Sequence, residues 1–440
     1  MILAAALGMN GLSFPVATYA QTVTPTPTPA TATSAAIAGG LYHTVALKSD
    51  GTVWTWGFNY NGQLADGTFF ERLTPVQVPS LASVTAIAAG WHHSLALRAD
   101  GTVWAWGLND QGQVGDSTVI DRNTATQVPG LSGVITVAAG HNHSLALKSD
   151  GTLWAWGANT FGQLGDGTTI ERHAPVQVQL LSGVTAVAAG FHHSLALKSD
   201  GSVWAWGMND QGQLGDGTTT NRSAPVQVPG VSAITAISTG ERHNLALKSD
   251  KTVWAWGQND YGQVGDGTLV IRQAPVQVHN LAGVTAISAG HEHSLALKSD
   301  ATVWAWGHNN FGQLGDATQT NRKTPVQVPG ISAVTAIAAG YDHSLAVKFD
   351  GTTWAWGWNA AGGLGDSTTT DRFAPVQVSG LNLGLTATPT PTPTPLPTAT
   401  STQTPTPAPT ATPTPPLPPT PPPSPHAARP DFRCPRSECF

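Results

Sequence analysis

The sequence predicts an all-β fold, a seven-bladed β-propeller of four-stranded antiparallel blades, and three observations lead to it. A W-x-W-G block recurs at an unvarying spacing of 50 residues, which indicates supersecondary units that bury their faces against each other. Each repeat holds four short strand-like segments. The first and last repeats resemble the middle ones, which favours a closed ring over a capped solenoid. The blocks start at Trp54, Trp104, Trp154, Trp204, Trp254, Trp304 and Trp354.

One repeat, residues 185–228, shows how the strands are predicted. A short apolar run ends at Gly190, and residues 194–198 alternate around two leucines. In the block V-W-A-W at residues 203–206, the alternation places both tryptophans on one face and the small residues on the other. The fourth strand contains Pro225, which cannot donate a ladder hydrogen bond, so this strand should lie at a sheet edge.

A turn separates the second and third predicted strands. Ser199-Asp200-Gly201 is a hairpin signal in which glycine supplies a positive φ. Two repeats have Lys251 and Ala301 at the glycine position, so we expect that the turn does not strictly require glycine.

The segments outside the repeats have a different composition. Their Pro/Thr-rich tracts cannot build a core, so we expect them to be disordered, and the longer one to act as a semi-rigid stalk. The apolar start ends in small residues and resembles a secretory signal peptide, with an ordinary disordered N-terminus as the alternative. The predicted divisions are a signal peptide (1–20), a Thr/Pro linker (21–34), the propeller (35–385), a Pro/Thr-rich stalk (386–425) and a tail of unknown role (426–440).

Charge and cysteine content narrow the classes of partner. The formal net charge is -6, only 10% of residues are charged, and no basic cluster is present, so we expect no nucleic-acid partner. Cys434 and Cys439 lie outside the repeats, so the core has no disulfide, and their own pairing stays open. We also expect no transmembrane segment, no cofactor and a monomeric protein.

The repeat A-G-x-x-H-S-L-A-L-x-x-D-G-x-V-W-x-W-G-x-N-x-x-G-Q-L-G-x-G-T resembles that of the regulator of chromosome condensation family. The resemblance covers about 350 of the 440 residues in seven units. It implies a seven-bladed propeller that binds macromolecules on a face or rim of the disc. Members include a nuclear exchange factor for the Ran GTPase, a plant ultraviolet-B receptor and a secreted bacterial inhibitor of β-lactamases. The family alone therefore does not determine the function.

A histidine recurs at the same position of every repeat. A residue that occurs once in every blade most simply serves the structure of that blade. We therefore expect each histidine to form a hydrogen bond across a strand turn rather than to belong to a metal site. The histidines are His43, His93, His143, His193, His243, His293 and His343.

An aspartate and an arginine bracket the glycine-rich loop of every repeat, as Asp216 and Arg222 do. We expect an ion pair that fixes the loop. The loop lacks the lysine of a phosphate-binding loop and the several carboxylates of a calcium loop, so we expect neither ligand there.

Two variable rings are the candidate binding surface. The first ring lies between the glycine and the histidine of each repeat, follows the innermost strand, and should surround one mouth of the central channel. Its aromatic, histidine-rich and mixed-charge composition suits binding, with neutral drift at exposed turns as the alternative. The first ring comprises Tyr42, Trp91, His92, His141, Asn142, Phe191, His192, Glu241, Arg242, His291, Glu292, Tyr341 and Asp342. The second ring follows W-x-W-G and comprises Phe58, Leu108, Met208, Gln258, His308 and Trp358.

The predicted function is an extracellular scaffold, secreted or at the cell surface, that recognises a protein or a cell-surface glycan through one rim. No catalytic motif is present, so we predict neither an enzyme nor catalytic residues. Two alternatives stay open. One is an intracellular guanine-nucleotide exchange factor or other regulator. The other is a secreted propeller enzyme acting on polysaccharide, with histidines and carboxylates of the first ring holding a metal or acting as an acid/base pair.

Overall fold

A computed structural model describes residues 36–384 of the protein. The predicted signal peptide, linker, stalk and tail, with both cysteines, lie outside the described residues. No helix long and apolar enough to cross a membrane occurs between residues 36 and 384.

The described residues form 28 strands, and every four consecutive strands make one antiparallel sheet in chain order. The innermost strands of neighbouring sheets contact each other around the ring, and the first also contacts that of the last sheet. Seven four-stranded blades, each from a single repeat, therefore close into a propeller, as the sequence predicts. The strands are β1 (Ala36–Gly39), β2 (His43–Leu47), β3 (Val53–Gly57), β4 (Arg72–Gln77), β5 (Val84–Ala89), β6 (His93–Arg98), β7 (Val103–Gly107), β8 (Arg122–Gln127), β9 (Val134–Ala139), β10 (His143–Lys148), β11 (Leu153–Gly157), β12 (Arg172–Gln177), β13 (Val184–Ala189), β14 (His193–Lys198), β15 (Val203–Gly207), β16 (Arg222–Gln227), β17 (Ile234–Thr239), β18 (His243–Lys248), β19 (Val253–Gly257), β20 (Arg272–Gln277), β21 (Val284–Ala289), β22 (His293–Lys298), β23 (Val303–Gly307), β24 (Arg322–Gln327), β25 (Val334–Ala339), β26 (His343–Lys348), β27 (Thr352–Gly357) and β28 (Arg372–Asn382).

The tryptophan pairs pack between blades, on the face that the alternation predicts. Trp206 is fully buried against Leu145 and Ala155 of the preceding blade. Val203 and Ala205 point the other way and pack in the cluster that holds Trp256 of the next blade. The outermost strand, β16, carries the proline and lies at the sheet edge. The second tryptophan of each pair is therefore a wedge that joins one blade to the next.

The recurring histidines form a belt of hydrogen bonds between blades, which corrects the expectation of a bond across a strand turn. His93 is buried, and its Nε2 lies 3.0 Å from the hydroxyl of Ser144 in the next blade. The Ser144 hydroxyl in turn donates to the Gln113 carbonyl at 2.9 Å. His343 closes the belt on Thr44 at 3.2 Å. A side chain at Gly90 would place its Cβ 2.4 Å from the His93 ring, which explains the glycine of the A-G-x-x-H motif.

The glycine-rich loop is held as the sequence predicts. The side-chain amide of Asn209 donates to the Asp216 carboxylate at 3.2 Å, and Arg222 binds the same carboxylate at 2.9 Å. Burial acts to raise the pKa of Asp216. Hydrogen bonds from Thr218 and Arg222 outweigh this effect and hold the pKa below its ordinary value. The aspartate and arginine thus stabilise the loop.

The ring closes without an exchange of strands between its two ends. β28 continues to Asn382, which pairs with Thr352, so the last leucines extend the fourth strand rather than form a separate one. The Leu383 carbonyl then accepts a hydrogen bond from the backbone N–H of Ser49 in the first blade at 2.9 Å. The Ser83 carbonyl accepts one from Ala99 in the same way at the next junction between blades. The Leu383 side chain is fully buried. The end of the repeat region therefore locks the last blade to the first.

The hairpin turns keep a left-handed residue even where glycine is replaced. Lys251 has a φ of 65° and Ala301 a φ of 61°, close to the 79° of Gly151. The turn thus tolerates a side chain, as expected, but it retains a backbone conformation that disfavours one.

Replacing Leu383 by alanine should lower the free energy of unfolding by about 2–5 kcal/mol, because a fully buried leucine is lost at the ring junction. Urea unfolding followed by tryptophan fluorescence measures the change. Leu269→Ala is the matched control, since Leu269 is 51% exposed, and it should change stability by less than about 0.5 kcal/mol. Equal effects of the two substitutions would contradict the role of Leu383 in closure.

Mild acid should unfold the propeller. Burial lowers the pKa of His93 and His243 to about 3 and that of His193 and His343 to about 4, below the ordinary 6.5. The unfolded chain therefore takes up protons first as the pH falls below 6.5. Each pH unit below 6.5 lowers the free energy of unfolding by about 1.4 kcal/mol per histidine. For seven histidines this is about 10 kcal/mol, which matches the stability of a typical domain.

We therefore expect the belt's contribution to be complete above pH 6.5 and unfolding to occur between about pH 6 and pH 4.5. Circular dichroism and tryptophan fluorescence across this range measure the transition. The paired aspartates have pKa values below the ordinary 3.8 and titrate later. A native spectrum that persists at pH 4 would contradict the prediction.

Ala301→Gly should stabilise the propeller by about 0.5–1 kcal/mol, because it removes a left-handed alanine. The reciprocal change Gly151→Ala should destabilise by a similar amount. An added Cβ at Gly151 meets its nearest neighbour at 3.8 Å, so that change tests backbone conformation and not a clash. Thermal unfolding of both variants measures the effects, and shifts of the same sign would refute the explanation.

Candidate functional site

Both variable rings lie on one face of the propeller, as two adjacent rows around the channel. In every blade the backbone N–H of the second-ring position donates to the carbonyl of the neighbouring first-ring residue. Phe58 donates to Tyr42 at 2.9 Å, and Trp358 donates to Asp342 at 2.8 Å. We call this surface the mouth face. It brings together all the residues of the two predicted rings.

The innermost side chains surround a small cavity at the axis. Together with glycines and alanines at the ends of the inner strands, they line a volume of about 140 Å³. This is room for a few water molecules. The channel therefore has no room for a macromolecule. The lining side chains are Trp91, His141, Phe191, Glu241, His291 and Tyr341.

One part of the mouth face is aromatic. The ring centroids of Trp91 lie 3.6 Å from His141 and 4.9 Å from Phe191. Tyr42 packs on Trp358 at 4.0 Å, and also contacts Phe58. We call these six residues, Tyr42, Phe58, Trp91, His141, Phe191 and Trp358, the aromatic sector.

The histidines of this region are neutral at physiological pH. Burial lowers the pKa of His141 to about 2 and that of His192 to about 4, and it also lowers the pKa of His92. The aromatic sector therefore presents uncharged rings.

The other part of the mouth face collects acidic groups. Glu241, Glu292 and Asp342 are only 13, 12 and 9% exposed at their side chains. His291 Nε2 lies 2.5 Å from Glu241 Oε2, and His308 Nδ1 lies 3.7 Å from Asp342 Oδ1. Burial raises the pKa of Glu292. We call these five residues the acidic sector.

Arg242 is the one arginine in the two rings, and its guanidinium forms ion pairs with two acidic side chains. Its Nη1 lies 3.0 Å from Asp210, and its Nε lies 3.5 Å from Glu241. The guanidinium also lies 5.8 Å from the Phe191 ring. Arg242 therefore stands at the border between the aromatic and acidic sectors.

The remaining predicted residues play smaller parts. Asn142 accepts a long hydrogen bond from Gln113 at 3.5 Å, and Gln258 donates to Asp260 at 2.9 Å. Leu108 and Met208 are half-buried. These positions complete the mouth face.

With the geometry established, comparisons with known proteins identify the family. A model of the RCC1-like domain matches residues 6–182 and 132–389. The chain belongs to the RCC1-like domain family. The resemblance found in the repeat is thereby confirmed.

Solved structures support this assignment. Human WBSCR16 is 26% identical with a TM-score of 0.67, over 75% of this chain and 94% of that one. Prp20p from Saccharomyces cerevisiae is 26% identical with a TM-score of 0.67, over 79% of this chain and 86% of that one, and its structure was studied with its binding to Gsp1p and histones. No curated protein sequence matches the chain.

In this RCC1-like propeller, a third row of side chains adjoins the mouth face and was not predicted. Tyr60 contacts Phe58 at 4.6 Å, and Tyr261 contacts His308 at 4.5 Å. The ring of Phe161 lies 4.9 Å from that of His192 in the next blade. These residues occupy the two variable positions of the N-x-x-G segment. Their variation between repeats is the signal that would have found them.

Proposed function

We propose that this propeller is a secreted or cell-surface scaffold that binds a protein partner through the mouth face, with the aromatic sector as its centre. Membership of the RCC1-like family supports a protein-binding or regulatory role. The binding of Prp20p to Gsp1p and histones, which are proteins, favours a protein partner over a glycan.

The observation that carries this proposal is the separation of constant from variable positions. The belt histidine, the second tryptophan and the aspartate–arginine pair occur in every blade and act inside the scaffold. Several variable positions lie together on the mouth face, and others lie on the outermost strands and in the loops between blades. Recognition of one partner needs side chains that differ between blades, and the two rings place such side chains next to one another around the axis.

The aromatic sector suits a protein interface. Large rings in edge-to-face contact bury much area at low entropic cost, and tryptophan and tyrosine are frequent at the centres of interfaces. Tyr60, which is 64% exposed, extends these rings toward the rim. A partner can therefore cover a continuous aromatic path from the axis outward.

The extracellular location is supported by the sequence alone, through the apolar segment 1–20 and the Pro/Thr-rich segment 386–425. An intracellular regulatory role is the second candidate, because Prp20p is a relative studied with Gsp1p. Cell fractionation with an antibody to the propeller separates the two locations.

The binding test uses the full chain on arrays of purified cell-surface proteins and of glycans. We expect a protein ligand whose affinity falls at least tenfold for Trp91→Ala/Phe191→Ala, because interface hot spots are each worth about 2 kcal/mol or more. Surface plasmon resonance measures the affinities. Phe349→Ala is the matched control, since Phe349 is 62% exposed in a hairpin turn on the opposite face.

Three results would count against the proposal. Equal binding by the double variant would move the site off the aromatic sector. Glycan binding without protein binding would replace the partner class. Loss of binding in Phe349→Ala alone would place the interface on the other face.

A further inference from the structure

We propose that Glu241, His291 and Glu292 form a binding site for one divalent transition-metal ion of the zinc class. One ligand atom from each residue lies within 4.8 Å of the other two. The site stands beside the axis of the propeller, inside the acidic sector. It is separate from the histidine belt, whose Nε2 atoms bind side chains of the next blade.

The scaffold, and not a free loop, positions these ligands. Glu241 and His291 occupy equivalent positions of adjacent blades, 50 residues apart, and Glu292 follows directly. The Glu241 backbone N–H donates to the His291 carbonyl at 3.2 Å, which ties the two blades together at the site. The three ligands lie in the short turns between the first and second strands of their blades, and this backbone hydrogen bond restrains the turns.

The imidazole of His291 is held between the two carboxylates with one nitrogen unsatisfied. Its Nε2 faces Glu241 at 2.5 Å, and its Nδ1 lies 3.9 Å from the Glu292 carboxylate. This Nδ1 is buried and has no hydrogen-bond partner. Tyr341 stacks on the ring at 3.5 Å and 18°, which fixes the plane of the imidazole. A coordinated ion would satisfy a polar atom that otherwise lacks a partner.

The charge balance also calls for a cation. Three carboxylates, those of Glu241, Glu292 and Asp342, are 13% exposed or less. Arg242, the arginine at their border, directs its shorter ion pair to Asp210. Buried carboxylates are stable when a cation neutralises them.

The donor set selects the class of metal. One imidazole and two carboxylates resemble zinc sites that have three protein ligands and an open fourth position. Calcium prefers six to eight oxygen ligands and is disfavoured by the imidazole. Tetrahedral zinc, with bonds of about 2.0–2.1 Å, would draw the three ligand atoms to about 3.3 Å from each other, so the side chains must close from separations of up to 4.8 Å.

A second layer of polar side chains supports the ligands. His308 Nδ1 lies 3.9 Å from Glu292 and 3.7 Å from Asp342. The Gln313 amide contacts both His308 and Asp342, at 2.9 and 3.0 Å. Such outer partners orient ligands and tune the ion.

Among residues 36–384 the cluster occurs once, which separates it from a feature of the repeat. The positions equivalent to Glu241 and His291 in the other blades hold leucine, tryptophan, histidine, phenylalanine and tyrosine. The repeat therefore does not impose these ligands, and two adjacent blades contribute complementary groups to one place.

The test titrates the chelator-treated full chain with zinc ions, by calorimetry and by competition with a zinc-binding dye. We expect the wild type to bind one more zinc ion per chain than the double variant Glu241→Gln/Glu292→Gln. Each single change should lower the affinity for that ion at least tenfold. Substituting His291→Gln should do the same. The matched control, Glu171→Gln/His173→Gln, removes an exposed pair at 3.1 Å and should leave the extra ion in place.

Cobalt ions give a second readout, because a low-symmetry site produces visible absorption that the glutamine variants should lack. Thermal unfolding without metal shows whether each variant is folded. If the double variant does not fold, the single change Glu292→Gln decides. Equal zinc stoichiometry and affinity in the wild type and the glutamine variants would overturn the proposal.

Discussion

The contact between a buried histidine and the next blade is the constraint on which this propeller depends. His143 binds the Ser194 hydroxyl at 2.9 Å, and that hydroxyl donates to the Gln163 carbonyl. The same carbonyl accepts the indole N–H of Trp206 at 2.8 Å. One carbonyl in each loop thus receives two hydrogen bonds from the following blade. Because all these groups are buried, the loss of one partner would leave others unsatisfied, and the blades hold together as a set.

This constraint divides the residues into two classes. Histidine, tryptophan and the loop carbonyl serve the ring and recur in every blade, so they carry no information about a ligand. Among the side chains that differ, those of the first ring stand where the ring brings equivalent positions closest to the axis. There Trp91 reaches Phe191 at 4.9 Å although the two are 100 residues apart. A few variable residues therefore make one joint surface, with an aromatic and an acidic sector.

Most of the fold could be predicted from the sequence, because it follows from period and alternation. The 50-residue spacing predicted seven blades, and the V-W-A-W pattern predicted which side chains wedge between them. The partner of each belt histidine could not be predicted, because His93 meets Ser144 only after ring packing is known. The first ring was correctly placed at one mouth of the channel, and the structure adds the second ring to the same face. Their division into two sectors depends on which residues meet across the axis, and no local pattern contains that information.

The acidic sector helps to decide whether the sequence differences between repeats at the mouth face arose by neutral drift. Drift at exposed turns would place charges independently of one another and leave them in water. Here Glu241, Glu292 and Asp342 are mostly buried and each faces an imidazole, and the groups come from three different blades. Burying a carboxylate without a partner is costly, so unmatched changes at these positions would have been destabilising. Charged groups from three repeats are therefore paired at one place, and a bound cation would meet the same requirement.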